Sequence, residues 1–259
     1  MHEKNYGEIL AARKFDHTAT VAPDRIFFTI KDELNDDAVI GTAGNFVAIT
    51  GLPKARKSTI ISALVASFIT GTPVFNFQLK IHKEKDHIAV FDTEQSPYDF
   101  NRSINTIEKL SGYSRPDVFT FLDAFLLSQD EPSEILRIID QYLKITPNCG
   151  IIVIDGLLDL IDNMNDEGSS KRLIRILKKW AKRHEILIIT VLHLGKKDQN
   201  SIGHIGSASD RYAQSTLLVE KTKTGTTTIT GKYLRSSGGF NPIEISWNQQ
   251  LKKYIQLNP

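Results

Sequence analysis

Gly51, Lys57 and Ser58 stand in GLPKARKST, residues 51–59, at the spacing of the phosphate-cradling pattern G-x-x-x-x-G-K-[ST], with Arg56 in the place of the second glycine. In that pattern backbone N–H groups and the lysine surround phosphate oxygens, and the hydroxyl after the lysine serves a divalent cation. With 16 glycines in the chain, the loosened spacing alone is weak. Its setting strengthens it, because Gly51 follows a strand-like apolar run and Ser58 opens a helical pattern. Helix N-terminal amides converge on anions in such a setting. Gly51, Leu52, Pro53, Lys54, Ala55, Arg56, Lys57, Ser58 and Thr59 are therefore candidate nucleotide-binding residues, with Pro53 stiffening the loop. A remodelled loop that takes only a simple anion such as sulfate is the alternative.

Arg56 sets the energetic question. If its position needs a positive φ, a residue with a Cβ costs about 1–2 kcal/mol there. Charge-assisted hydrogen bonds to phosphate are worth about 1.5–3 kcal/mol each, so several of them outweigh one strained residue. The expectation is that the Arg56 side chain points away from bound phosphates, or lies alongside them.

Two further segments supply carboxylates. GIIVIDG places Asp155 after consecutive aliphatic residues, where a buried strand leaves a sheet and where a magnesium-orienting carboxylate belongs. An Asp that merely turns the chain is the alternative. AVFDTEQS offers Asp92 and Glu94 at another strand end. Glu94, just beyond the strand, suits a group that deprotonates water, against an ordinary loop acid; Asp92 reads as structural.

Elements that position these residues follow from periodicity. Residues 45–50, 87–92, 118–123, 150–155 and 186–193 are short runs rich in β-branched and aromatic residues, each a buried-strand candidate. Between them, residues 58–69, 98–110, 133–143 and 170–184 carry apolar residues at helical spacing, and Ser96-Pro97 is a helix-start signal. Alternation of this kind predicts crossover units: an α/β fold with a mostly parallel sheet flanked by helices. After Gly206, TLLVEKT, TTTITGKYLR and IEISWN, separated by turn-like residues, predict a C-terminal antiparallel β-hairpin extension over 206–259. Residues 1–44 are less regular, with RIFFTI as a short strand and GTAG as a turn, and no linker divides the chain. One domain over 1–259 is expected.

Bulk properties narrow the class. The 259 residues are 41% hydrophobic and 24% charged, enough for one substantial core, and the formal charge of +2 gives no compositional case for coating a polyanion. One cysteine, Cys149, permits no internal disulfide. The N-terminus lacks a charged-then-apolar leader, and no apolar run reaches the roughly 18–20 residues of a membrane span. The expectation is a soluble, cytoplasmic protein without a membrane partner.

The order GLPKARKST, AVFDTEQS, IIVIDGLLDLI, then ITVLHLGKK followed by GHIGSASDRYAQSTLLVEK resembles RecA-like P-loop motor ATPases, in the branch containing RadA, DnaB and the plasmid hexameric helicase RepA. The resemblance covers residues 45–247 by motif order. It implies ATP and Mg²⁺ as ligands, with Lys57, Glu94, Asp155 and His193 as catalytic residues, His193 sensing the γ-phosphate, and Ser58 and Asp155 serving the metal. It further implies central DNA-facing loops near 163–169 and 195–207, the latter carrying Lys196 and Lys197, with plain surface loops as the alternative that composition leaves open. Neither loop holds an aromatic residue, so DNA contact there would be phosphate-directed and salt-dependent. Lys232 and Arg235 fall near the place from which basic residues reach a neighbouring subunit's site. If they act in trans, hydrolysis requires assembly; a solvent-facing pair on a hairpin is the alternative. Basic residues of SKRLIRILKKWAKRHE read as a solvated helix face, opposite Leu173, Ile174, Leu177, Trp180 and Ala181.

The expected function is thus a Mg-dependent, ATP-binding ATPase, a ring-forming homo-oligomer for which the resemblance implies a hexamer, acting on single-stranded DNA in replication, mobilisation or mobile-element transfer, with helicase activity one form of it. The alternatives are a nucleotide-dependent binding module with little hydrolysis, and an adaptor that has lost nucleotide binding.

Overall fold

The computed structural model describes residues 6–11, 14, 16–32, 34, 36–127, 131–195 and 203–258. In chain order the first half forms α1 (Tyr6–Ala11), β1 (Ile26–Lys31), β2 (Asp37–Thr42), β3 (Phe46–Gly51), α2 (Lys57–Thr70), β4 (Phe77–Leu79), β5 (His87–Asp92), α3 (Pro97–Ser111), α4 (Arg115–Phe121) and β6 (Leu122–Leu127). The second half forms α5 (Pro132–Ile145), β7 (Cys149–Asp155), a 3-10 turn at Leu157–Leu160, α6 (Glu167–His184), β8 (Leu187–His193), α7 (Gly203–Tyr212), β9 (Ser215–Lys221), β10 (Thr227–Leu234), β11 (Ile243–Asn248) and β12 (Lys253–Gln256).

A nine-stranded sheet runs in the order β12-β11-β10-β9-β3-β8-β7-β5-β6. From β9 to β6 every neighbouring pair is parallel, and β10, β11 and β12 add antiparallel strands at one edge. Alternating side chains point to opposite faces, and both faces are covered. Ile151 and Val153 of β7 join a core with Leu64 and Phe68 of α2 and Ile104 of α3, whereas Ile152 and Ile154 join Ile139 of α5 and Leu173, Leu177 and Trp180 of α6. Double coverage explains why these strands read as unbroken apolar runs. α2 is buried nearly all round because it packs against both α3 and β4.

Register sets the site. Parallel pairing brings Gly51 level with His193 and Asp92 level with Asp155, so residues far apart in the chain share the carboxyl edge, where open α/β sheets bind ligands. Gly51 also has a packing reason to be glycine: a Cβ there would lie 2.4 Å from the Val219 carbonyl oxygen of β9.

Several expectations need correction. Residues 118–123 are not one strand: α4 continues through Phe121 and β6 starts at Leu122. Ser114, with Pro in the first turn and Asp117 behind it, starts a helix that the aromatic, β-branched composition of VFTFLD hid. β9, the TLLVEKT segment, pairs in parallel with β3 and antiparallel with β10, so it belongs to the parallel core as much as to the hairpin. Gly203 to Tyr212 form a helix, which takes residues 203–207 out of the expected central loop and 206–212 out of the antiparallel region. The first 44 residues contribute β1 and β2, which join β4 in a separate three-stranded antiparallel sheet. Its Phe27, Phe28, Ile40, Phe77 and Leu79 are fully buried in the same core as α2. Gly41 and Thr42 end β2, leaving the turn to the two residues that follow.

Candidate functional site

Between β3 and α2 the chain makes a tight loop in which Lys54 and Arg56 are left-handed, at φ 65° and 74°. Each costs about 1–2 kcal/mol relative to an ordinary conformation. Arg56 is the N-cap of α2 and offers no side-chain cap, and no acidic residue occupies the first turn. The helix therefore presents its N-terminal amides without internal neutralisation, a fit for an anion. The Arg56 side chain turns to the C-terminal strands instead. Its Nη1 donates to the Gly225 carbonyl at 2.6 Å and to Thr227 Oγ1 at 3.4 Å, and its guanidinium lies 5.2 Å from the Tyr254 ring centroid.

Lys57 is only 6% exposed. Its Nζ donates to the carbonyls of Gly51 at 3.0 Å and Leu52 at 3.1 Å, and lies 3.0 Å from His193 Nδ1. An ammonium can only donate, so Nδ1 accepts and the ring proton sits on Nε2. Nε2 in turn donates to the Glu94 carboxylate, at 3.1 and 3.0 Å from its two oxygens. One imidazole thus joins the loop lysine to the strand-end glutamate. The His193 bond holds the Glu94 carboxyl below its usual pKa, against the effect of burial, and the Lys57 charge adds to it. Burial lowers the Lys57 pKa, opposed by Asp155 and Glu94. Asp155, 5% exposed, is pushed up to about 8 by burial and then by the negative charges of Asp92 and Glu94, with Lys57 opposing. A carboxyl so short of positive charge suits a divalent cation, which would supply it. Among the described residues no group of three or more His, Cys, Asp or Glu could hold a metal alone. A magnesium ion here would rest on one or two protein oxygens and substrate phosphates, as that ion commonly does.

The segment carrying Glu94 is fixed from below. Buried Asp92 accepts from the backbone N–H groups of Glu94 at 3.0 Å and Gln95 at 2.9 Å, and from Gln95 Nε2 at 2.6 Å, the structural part expected of it. Thr93 Oγ1 donates to Asp159 Oδ2 at 2.6 Å, and Ser96 caps α3 by accepting from Asp99 N at 3.2 Å. Gly156 closes this arrangement at φ 103°, where a Cβ would fall 1.9 Å from Thr93 Oγ1. Gly156→Ala should cost about 2–5 kcal/mol, combining left-handed strain with overpacking. Urea denaturation of the variant beside the wild type measures it, and a loss below 1 kcal/mol, on the order of a surface change, would contradict this account of the loop.

A cleft of about 570 Å³ opens beside Ser58, Thr59 and Glu94, bounded by Arg102 of α3 and by Trp247 and Tyr254 of the C-terminal strands. The two aromatic rings meet edge to face at 5.2 Å. Neither was singled out from sequence, where nothing local ties them to residues nearly 200 positions earlier. Leu52, Pro53 and Lys54 are exposed at the loop tip, and Ala55 is buried beneath it.

Other candidates lie apart from this cluster. Lys232 pairs with Asp210 of α7 at 2.8 Å, and Arg235 donates to the Arg211 carbonyl, so both engage their own chain. Lys196 and Lys197 lie outside the described residues. The first expected central loop is shortened, because α6 starts at Glu167 with Asp166 as N-cap. It touches the start of α7, where His204 N donates to the Met164 carbonyl at 3.0 Å. On α6, Lys171 pairs with Glu167 at 2.6 Å and Lys178 lies 5.3 Å from the Tyr212 ring centroid. Among the described residues no helix is long and apolar enough to cross a membrane.

A family described as AAA domain matches residues 35–199. Meiotic sister-chromatid recombination protein 6, mitochondrial, of Saccharomyces cerevisiae (strain ATCC 204508 / S288c) is 23% identical over 180 residues, which is 68% of this chain and 21% of that protein. The chain thus spans about a fifth of the length of this curated relative. The crystal structure of the RadB recombinase superposes with a TM-score of 0.57 at 13% identity, covering 82% of this chain and 90% of that one. The fold is therefore RecA-like.

Proposed function

Since the chain belongs to the AAA domain family, we propose that it is a Mg-dependent ATPase whose site is the β3–α2 loop and the sheet edge beside it. The single observation that carries this reading is the Lys57–His193–Glu94 bridge at the mouth of that loop. It joins a phosphate-binding cation to a base through a residue able to sense both. The backbone of residues 51–59 holds the triphosphate, with the Lys57 side chain and the α2 amides as donors. A magnesium ion held by Ser58 and Asp155 would neutralise charge on the transferring phosphoryl group. Glu94, kept ionised by His193, accepts the proton of the attacking water. When phosphate oxygens draw Lys57 away, His193 loses one partner and reports the change to Glu94.

Membership in the RadA, DnaB and RepA branch, a ring of subunits, and work on single-stranded DNA complete the proposal. They are supported by the motif order and by relatives whose names refer to recombination. Lys232 and Arg235 would act on a neighbouring subunit's nucleotide after leaving their contacts on α7, and Lys196 and Lys197 would meet DNA phosphates. Replication, mobilisation and mobile-element transfer, with helicase activity among them, are the transactions this machinery suits; recombination joins them through those relatives.

Phosphate release from ATP with magnesium, measured with and without single-stranded DNA and followed by sizing with nucleotide, tests the proposal. Turnover that rises with DNA, falls with salt and accompanies assembly is expected. A nucleotide-held switch with little turnover is the second reading, favoured by the bonds of Lys57 to its own loop carbonyls, which a phosphate must displace. Binding without turnover under every condition would favour that switch. A calorimetric titration with no heat and no thermal shift would leave only an adaptor.

A further inference from the structure

The proposed ATPase leaves one loop residue without a task, and its contacts supply one. Glycine at position 56 would adopt φ 74° at little cost, yet the chain keeps a strained arginine there. Its guanidinium bonds the Gly225 carbonyl in the β9–β10 turn and faces the Tyr254 ring of β12. Tyr254 packs edge to face with Trp247, and both line the cleft that begins at Ser58 and Thr59. The far end of this wall is tied down as well, since Lys109 of α3 donates to the Lys252 carbonyl at 3.3 Å.

Resting on the ATPase reading, we infer that Arg56 is a positioning residue for the nucleoside half of the substrate: it fastens the phosphate loop to the aromatic wall of the adjoining cleft. The loop backbone then grips phosphates, and the Arg56 side chain sets the distance from that grip to the rings on which a planar base would rest. This division of labour explains why the guanidinium is directed at Gly225 and Tyr254, and what the backbone strain supports.

Calorimetric titration of Mg-ATP and of magnesium with inorganic tripolyphosphate, on wild type, Arg56→Gly, Arg56→Lys and Tyr254→Leu, separates the two halves. Tripolyphosphate reads the loop alone. In Arg56→Gly, ATP should bind about tenfold more weakly while tripolyphosphate changes less than about twofold, a difference of at least about 1 kcal/mol in coupling to the base. Arg56→Lys, which keeps a cation over Tyr254 and loses the planar fork, should recover part of the ATP loss. Tyr254→Leu should mimic Arg56→Gly, and the double variant should add little to either. Equal weakening of both ligands in Arg56→Gly, or no weakening, overturns the inference while leaving the ATPase reading intact. Wild-type failure to bind either ligand overturns the ATPase reading and the inference with it.

Discussion

Glu94→Gln should lower ATP turnover by about 10²–10⁴-fold and leave ATP affinity within about threefold of wild type. The substitution is nearly isosteric, and the amide oxygen can still accept the Nε2–H of His193, 3.0–3.1 Å from the present carboxylate oxygens. What disappears is the capacity to take a proton. Asp92 continues to hold the backbone of residues 94 and 95, so the loop keeps its place. Single-turnover hydrolysis and equilibrium ATP binding, measured on the same preparation, separate the two effects. Unchanged hydrolysis would remove Glu94 from the chemistry and leave the His193 contact as a structural hydrogen bond. Loss of binding in step with hydrolysis would instead assign Glu94 to substrate affinity.

Lys57→Ala should weaken ATP binding by at least about a hundredfold, because two charge-assisted bonds to phosphate at about 1.5–3 kcal/mol each are removed. Its effect on the nucleotide-free fold should be far smaller, within about 1 kcal/mol, because both carbonyls keep another donor and His193 Nδ1, which loses Lys57, belongs to a partly exposed side chain that water can reach. The Gly51 carbonyl also accepts from Leu194 N at 3.1 Å, and the Leu52 carbonyl accepts from Ala55 N at 3.1 Å. Burial already lowers the lysine's pKa, which means that its charged form is disfavoured where it sits. A large binding loss with a near-constant melting temperature is the signature of a cation kept for substrate. Parallel losses of both would mark Lys57 as a structural strut.

Legibility from sequence divided along the range of the interactions. Local chemistry was plain: Ser96-Pro97 starts α3, strand ends fall at Asp92, Asp155 and His193, and the aliphatic runs form the sheet centre. These follow from nearest-neighbour propensities and from burial on both sheet faces. VFTFLD misled because a β-like composition sat inside the reach of a helix start at Ser114, and short apolar runs carry no periodicity that separates the two. The site showed the same division. Which residues occupy the sheet edge could be read from motif order, but the His193 bridge depends on side chains 136 and 99 positions from their partners. The Arg56 contacts with Gly225, 169 positions away, and with Tyr254 had no local signal beyond the oddity of arginine where glycine is usual.

Pairing of β3 with β8 and of β5 with β7 aligns Gly51 with His193 and Asp92 with Asp155 at strand termini. Because successive residues of a strand face opposite ways, inserting or deleting one residue in any of these four strands reverses every side chain between the lesion and the tip. Tolerance of length change is thereby uneven: a connection remote from the strand tips, such as residues 146–148 between α5 and β7, can take an added residue, while strand length is locked to the spacing of the reactive groups.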